Sequence, residues 1–419
     1  MLDQPLFELQ ARHLAHVVAR EAIETQQAVA WRDSGASLPL VSVYDKPPGP
    51  RRILAIDGGG MRGALAVGIL AKLEKTLREK LGRPDLVLSD YFDLIGGTST
   101  GAIIAAGLAL GQDTDYLRGL YRRLGPIVFK QRGFRIPLIQ SRFDPSRLAG
   151  VIEQELGDAT LENAHWRTGF AAIAKRVDTG SSWILTNCPG SRYWNGDPAL
   201  PDVTPNKDYR ISTIVQASAA APFYFDMVHM EVTKGEQGIF FDGAMTPHGN
   251  PALQLAMTAL VPAYGLKWEP GATKLMIVSV GTGQPRPMKP EWRSKPLLLS
   301  VWKAIHALTS LAYDSSQLGT SILQWLGTSP QPWRINGEIG GLEHSLPGCL
   351  PLWTFVRYDS PLEPGWLETH LDEKFSAEQI TDLVKMDDDK MVPELYRVGE
   401  LAGEKLIKPE HFPDCFNPK

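Results

Sequence analysis

The chain has 419 residues, 43% of them hydrophobic, and a formal net charge of −4; its sequence pI is near 6.2. That length suits one large α/β domain or two to three ordinary ones, and the slightly acidic balance carries no basic footprint for a nucleic acid polymer. The three cysteines, Cys188, Cys349 and Cys415, are far apart and lack metal-ligand spacing, which points to a reducing, cytoplasmic setting.

No signal peptide is expected at the N-terminus. No apolar run approaches the ~20 residues of a transmembrane helix. Between Pro5 and Trp31 the apolar residues Leu6, Leu9, Val17 and Val18 lie among Glu8, Arg12, Arg20 and Glu24, a helical pattern. The cluster Lys46-Pro47-Pro48-Gly49-Pro50 cannot continue a helix and reads as a linker. Residues 1–49 are thus a helical extension, which either packs on the core or serves self-association or regulation. A catalytic domain is expected over residues 50–360 and a helical tail packed on it over 361–419.

The domain opens with Ile53-Leu54-Ala55-Ile56, a strand, followed by the loop Asp57-Gly58-Gly59-Gly60-Met61-Arg62-Gly63. Three consecutive glycines suit a backbone whose N–H groups converge on one oxygen, as an oxyanion hole requires. The loop lacks both the P-loop and the G-x-G-x-x-G spacing, so a phosphate cradle is the weaker reading. A helix follows, with Ala66, Ile69, Leu70, Leu73 and Leu77 on one face and Lys72, Lys75, Arg78 and Glu79 on the other. Tyr91 to Gly96 is predicted as a second strand, Gly97-Thr98-Ser99-Thr100-Gly101 as a sharp turn and Ala102 to Leu110 as a buried helix. A G-x-S-x-G elbow leaves the serine hydroxyl exposed at a helix N-terminus, where the dipole favours developing negative charge. Ser99 is therefore the candidate nucleophile.

Helices are predicted over Leu117–Leu124 and Arg147–Leu156, and neighbouring strands at Gly169–Ala174 and Ser182–Thr186, joined through the turn Asp178-Thr179-Gly180. Ile239-Phe240-Phe241 leads into Asp242-Gly243, and Lys274 to Val280 is one more buried strand. The alternation of strands and helices predicts an α/β sandwich with a mainly parallel sheet, its functional loops at the carboxyl ends of the strands. From Pro290 to Ile335, four of eleven tryptophans gather. Leu298, Val301, Trp302, Ile305 and Leu308 share a helical face there, with Trp292, Trp325 and Trp333 flanking it. A lid or core helix is preferred to a membrane anchor, because Arg293, Lys295, Lys303 and Arg334 are few for binding anionic lipid. Leu352–Tyr358 is a predicted strand, Ala377–Met386 and Val392–Leu406 are predicted helices, and Asp387-Asp388-Asp389 reads as a solvated helix start.

Asp57-Gly58-Gly59-Gly60-Met61-Arg62-Gly63, Gly97-Thr98-Ser99-Thr100-Gly101, Ala217-Ser218-Ala219-Ala220-Ala221-Pro222-Phe223-Tyr224-Phe225 and Asp242-Gly243-Ala244 occur in the order found in the patatin-like phospholipases. The sequence resembles that family from about Arg52 to Thr282. The resemblance implies a three-layer α/β/α sandwich and a Ser-Asp dyad: Ser99 as nucleophile, Asp242 as its base, and the amides of Gly58, Gly59 and Gly60 as oxyanion donors, with no cofactor or metal. It leaves Asp57 as a turn-fixing residue and Arg62 as either a ligand for a lipid phosphate or a structural cation. A rival Ser-Asp-His triad would draw on His306, His344, His370 or His411, all after Asp242, or on His248 close beside it. The implied activity is phospholipid or lysophospholipid hydrolysis, with transient contact at a membrane surface. Its alternatives are a neutral-lipid esterase or acyltransferase, a nucleotide-activated membrane-degrading effector of bacterial antiphage signalling, and a non-catalytic lipid-binding module. A nucleotide activator and self-association are the further partners left open.

Overall fold

The computed structural model describes residues 43–128, 143–222, 224–286, 299–342, 345–348 and 350–418. The expected helix within Pro5–Trp31 lies outside them, as do Phe223, Trp292, Leu298, His344 and Cys349 and the side chains of Val301, Trp302, Ile305, His306 and Leu308.

Eight strands form one mixed sheet: β1 Arg51–Ile56, β2 Leu94–Thr98, β3 Gly169–Arg176, β4 Ser182–Thr186, β5 Val228–Thr233, β6 Glu236–Asp242, β7 Leu275–Val280 and β8 Thr354–Tyr358. The central run β3-β2-β1-β7-β8 is parallel throughout. Strands buried on both faces read as continuous apolar runs, which is why β1 and β7 were legible. β4 and β6 pair antiparallel with β3, and β5 with β6.

The pairing around β3 positions the site. Ala171 to Ile173 of β3 pair with β2 on one edge and β4 on the other. Ala174 and Lys175 still pair with β4, and their other edge is taken by β6. A strand has only two edges. β6 therefore occupies the edge that β2 leaves at Thr98, and the two strands meet nearly end to end. Asp242, opposite Ala174, lands one row beyond Thr98, opposite Ile173.

Among the described residues eleven helices flank the sheet: α1 Gly63–Leu81, α2 Leu88–Tyr91, α3 Thr100–Ala109, α4 Thr114–Val128, α5 Pro145–Leu156, α6 Ile211–Ala219, α7 Ala252–Leu260, α8 Leu299–Trp325, α9 Pro364–Leu371, α10 Ala377–Leu383 and α11 Val392–Leu406. Successive strand residues point to opposite faces. Leu54, Ile56 and Val278 join a large core with α1, α3, α4, α6 and α11, whereas Ile53, Ala55 and Ile277 join a smaller one with Leu255 and Ala259 of α7 and Leu323 of α8. The result is a three-layer α/β/α sandwich.

One expectation needs correction. The predicted strand from Tyr91 begins only at Leu94, because Leu88–Tyr91 close a single helical turn in which Asp90 accepts the Val87 N–H at 3.3 Å. The apolar pair Tyr91 and Phe92 is buried by edge-to-face packing at 5.0 Å rather than by strand pairing. From Leu299 to Trp325 the tryptophan-rich segment is the helix α8, and its end is core: Leu323 is fully buried and its carbonyl accepts the Trp353 indole N–H at 2.8 Å.

α11 crosses α1 at small residues. A Cβ added to Gly399 would stand 2.0 Å from the Leu65 carbonyl oxygen, a backbone contact that no rotamer change relieves. Gly399→Ala is expected to cost about 3 kcal/mol or more. Urea denaturation checks this, and an unchanged midpoint would mean that the two helices do not pack this closely.

Candidate active site

Ser99 follows β2 and precedes α3 with φ 57° and ψ −126°, a region that residues with side chains rarely occupy. Close packing of the two flanking glycines enforces the turn. A Cβ on Gly97 would lie 2.0 Å from the Gly101 carbonyl oxygen, and one on Gly101 would lie 2.2 Å from the Ile56 carbonyl oxygen. The elbow is also pinned from outside. The Ser99 N–H donates to Ser218 Oγ at 2.9 Å, and that hydroxyl donates to the Ile173 carbonyl at 2.6 Å. Ser218 lies near the end of α6 and is fully buried, so it ties the turn to the β3 row on which the site is built.

Ser99 Oγ donates to Asp242 Oδ2 at 2.6 Å. The other carboxylate oxygen accepts the Ala244 N–H at 2.7 Å, and the Asp242 N–H donates to the Ala220 carbonyl at 3.0 Å. Asp242 is 3% exposed. Burial pushes its carboxyl up to about 6, against the bonds from Ser99 and Ala244, which favour the anion. At neutral pH it is ionised and a stronger base than aspartate in water.

The glycine loop curls beside this pair. The Gly58 N–H is committed to the Gly249 carbonyl at 3.0 Å, while its own carbonyl accepts Thr282 Oγ1 at 2.7 Å. Of the three amides expected to act together, Gly58 therefore holds the loop in place. The N–H groups of Gly59 and Gly60 have no acceptor among the described residues. The Met61 N–H donates to the Met386 carbonyl at 2.9 Å, which fixes the loop's far end.

Asp57 is structural in its contacts. Arg357 Nη2 lies 2.7 Å from both Asp57 and Asp359, and Arg357 Nη1 donates to Ser279 Oγ at 2.7 Å. Although burial works to lower it, the two carboxylates hold Arg357 above the ordinary arginine range. Arg62 is buried, its Nε donates to the Gly59 carbonyl at 3.4 Å, and no carboxylate lies within ion-pair distance among the described residues. Burial lowers it to about 10, so it stays cationic at neutral pH.

Among the described residues no histidine bonds to Ser99 or Asp242. The His248 carbonyl accepts Thr98 Oγ1 at 2.6 Å, and burial lowers its imidazole's pKa. His411 bonds to the Tyr358 hydroxyl at 2.9 Å, and His370 stacks on Trp366. Asp388 caps a short turn through the Lys390 N–H at 3.2 Å. Among the described residues no group of three or more His, Cys, Asp or Glu side chains is placed to hold a metal ion.

This fold and this elbow coincide with a family match: residues 54–256 fit the patatin-like phospholipase model. Those residues form a patatin-like phospholipase domain. Patatin-17 of Solanum cardiophyllum is 27% identical over 271 residues, covering 61% of this chain and 65% of the relative. A cGAMP-activated phospholipase of Escherichia coli (strain TW11681) is 31% identical over 216 residues, covering 51% and 56%. A Solanum tuberosum relative named probable inactive patatin-3-Kuras 1 is 27% identical over 247 residues, covering 55% and 62%. The aligned part is thus under two thirds of each relative, and the family includes a member named as inactive. Competence in this patatin-like domain has to be argued from its own residues.

Sequence reasoning singled out the Ser-Ala-Ala-Pro segment without a role for Ser218, and it missed Thr282, Gly249 and Met386 altogether. The signal for Ser218 was its place in the motif, whereas the other three act on residues far away in sequence, Thr282 through its hydroxyl and Gly249 and Met386 through their carbonyls. Two substitutions should shift stability in opposite directions. Ser218→Ala leaves a buried N–H and a buried carbonyl unpaired, at a cost of about 1–3 kcal/mol. Because the folded pKa of Asp242 is raised, the parent loses stability as pH climbs between 3.8 and about 6, a loss of about 3 kcal/mol. Asp242→Asn escapes that loss, so it should be more stable than the parent at pH 8 and no better below pH ~4. Thermal denaturation across pH measures both, and a destabilised Asp242→Asn protein at pH 8 would contradict the assigned shift.

Proposed function

We propose that the protein is a serine lipid acyl hydrolase that cleaves fatty acyl esters of phospholipids or lysophospholipids through Ser99 and Asp242. The observation that carries this is the 2.6 Å bond from Ser99 Oγ to a buried carboxylate, at a strained elbow beside two amides that have no acceptor among the described residues. Ser99 Oγ attacks the ester carbonyl as Asp242 takes its proton. The N–H groups of Gly59 and Gly60 receive the oxyanion, each donor contributing a factor of about 10²–10³. Collapse breaks the bond to the alcohol, which leaves with the proton from Asp242. Water, deprotonated by Asp242, then attacks the acyl-enzyme and releases the fatty acid with Ser99 restored. The patatin-like phospholipase domain at residues 54–256 supports the lipid class of substrate. No helix among the described residues is long and apolar enough to cross a membrane, and the substrate is met by transient contact with the lipid surface.

A second reading adds a switch: a nucleotide activates the hydrolase. Its support is the relative named as a cGAMP-activated phospholipase, at 31% identity over 216 residues.

Fatty-acid release from phospholipid vesicles tests the chemistry. Ser99→Ala and Asp242→Ala should each lower the rate by about 10³ or more while the proteins stay folded. A fully active Asp242→Ala protein would sink the dyad. The parent's rate should rise about tenfold per pH unit on the acid side and level off above about 6, where Asp242 is ionised; an acid limb centred near 4 would contradict the burial of that base.

A further inference from the structure

A cleft of about 510 Å³ opens between the end of β8, α8, α9 and the loop from Gln331 to Gly337, and it shares no lining residue with Ser99, Asp242 or the glycine loop. Its size is that of a small-molecule site, where a few convergent polar groups set specificity. Its lining combines two chemistries. Trp366 stacks on His370 at 4.5 Å and faces Trp333 at 6.4 Å, and the Arg357 guanidinium lies over the Trp333 ring at 5.9 Å. This ladder of flat rings borders groups that lack partners. Among the described residues Gln317 Oε1 is buried without a hydrogen bond and the exposed Arg334 has no ion-pair partner. Indole faces stack on planar bases, a carboxamide oxygen accepts from an exocyclic amine, and an unpaired guanidinium recognises phosphate.

We infer that this cleft binds a nucleotide, its base against Trp333 and Trp366 and its phosphate on Arg334. The inference rests on the nucleotide-activated reading and gives that activator a place. The cleft also has a physical route to the site. Arg357, at its floor, holds Asp57 at the root of the glycine loop, and Asp359 accepts the Gly283 N–H at 2.9 Å, next to Thr282, which holds the Gly58 carbonyl. A ligand that moves Arg357 thereby shifts the loop carrying the Gly59 and Gly60 amides.

The test is calorimetric binding of AMP, cyclic di-AMP, cyclic di-GMP and cyclic GMP–AMP to the full chain, with phosphocholine as a headgroup control. At least one nucleotide should bind to the parent and to Ser99→Ala alike. Trp333→Ala and Arg334→Ala should each weaken it about tenfold or more. Arg334 is exposed, so its variant keeps the test valid should Trp333→Ala fail to fold. Binding is read without turnover, so an inactive hydrolase would not hide it. Failure of every nucleotide to bind, phosphocholine alone binding, or nucleotide binding unchanged in Arg334→Ala would overturn the inference.

Discussion

Two strands meet end to end on one edge of β3, and the site exists because they do. β2 leaves that edge at Thr98, and β6, arriving from the opposite direction, fills the vacated row and stops at Asp242. The turn out of β2 and the end of β6 are thereby forced into contact, and the serine of one meets the carboxylate of the other at 2.6 Å. Sheet hydrogen bonds, rather than loop packing, fix that separation. A site built on strand ends is held more tightly than one built on long loops. Ser218 repeats the device on a smaller scale, by hanging the elbow's backbone from the carbonyl of Ile173 in the same strand.

Such an arrangement is costly, and the surroundings show what offsets the cost. A residue with a side chain at φ 57° stores strain, of order 1–3 kcal/mol, and an ionised carboxylate at 3% exposure loses most of its hydration. The buried ion network of Arg357 with Asp57 and Asp359 and the contact of Met386 with Met61 clamp the glycine loop from two sides. Both clamps come from beyond residue 256, where the family match ends. The C-terminal third of this chain is therefore part of what holds the glycine loop in place, through β8 in the shared sheet and the segment before α11.

Much of the fold was legible because burial on both faces leaves its mark locally. Ile53–Ile56, Gly169–Ala174 and Lys274–Val280 read as strands for that reason, and α1 carried its burial in the spacing of Ala66, Ile69, Leu70, Leu73 and Leu77. Ser99 was legible as the residue between two glycines at the mouth of a helix. What escaped depended on distance along the chain. The Arg357 partner of Asp57 lies 300 residues away, and nothing local marks the antiparallel direction of β6. The assignment of all three glycine amides to one oxygen failed at Gly58 for the same reason, since Gly249 takes its hydrogen and no spacing rule announces it. Tyr91 and Phe92 misled because aromatic apolar residues serve a buried helical turn as well as a strand.

The central claim is that Ser99 is a nucleophile activated by Asp242. Its most direct test is to treat the protein with a long-chain alkyl fluorophosphonate and to locate the adduct by peptide mass spectrometry. Loss of fluoride and formation of one phosphorus–oxygen bond at Ser99, with labelling slowed in Asp242→Asn, is the result this account predicts. Labelling at another serine, or labelling of Ser99 that is as fast without the carboxylate as with it, would contradict it.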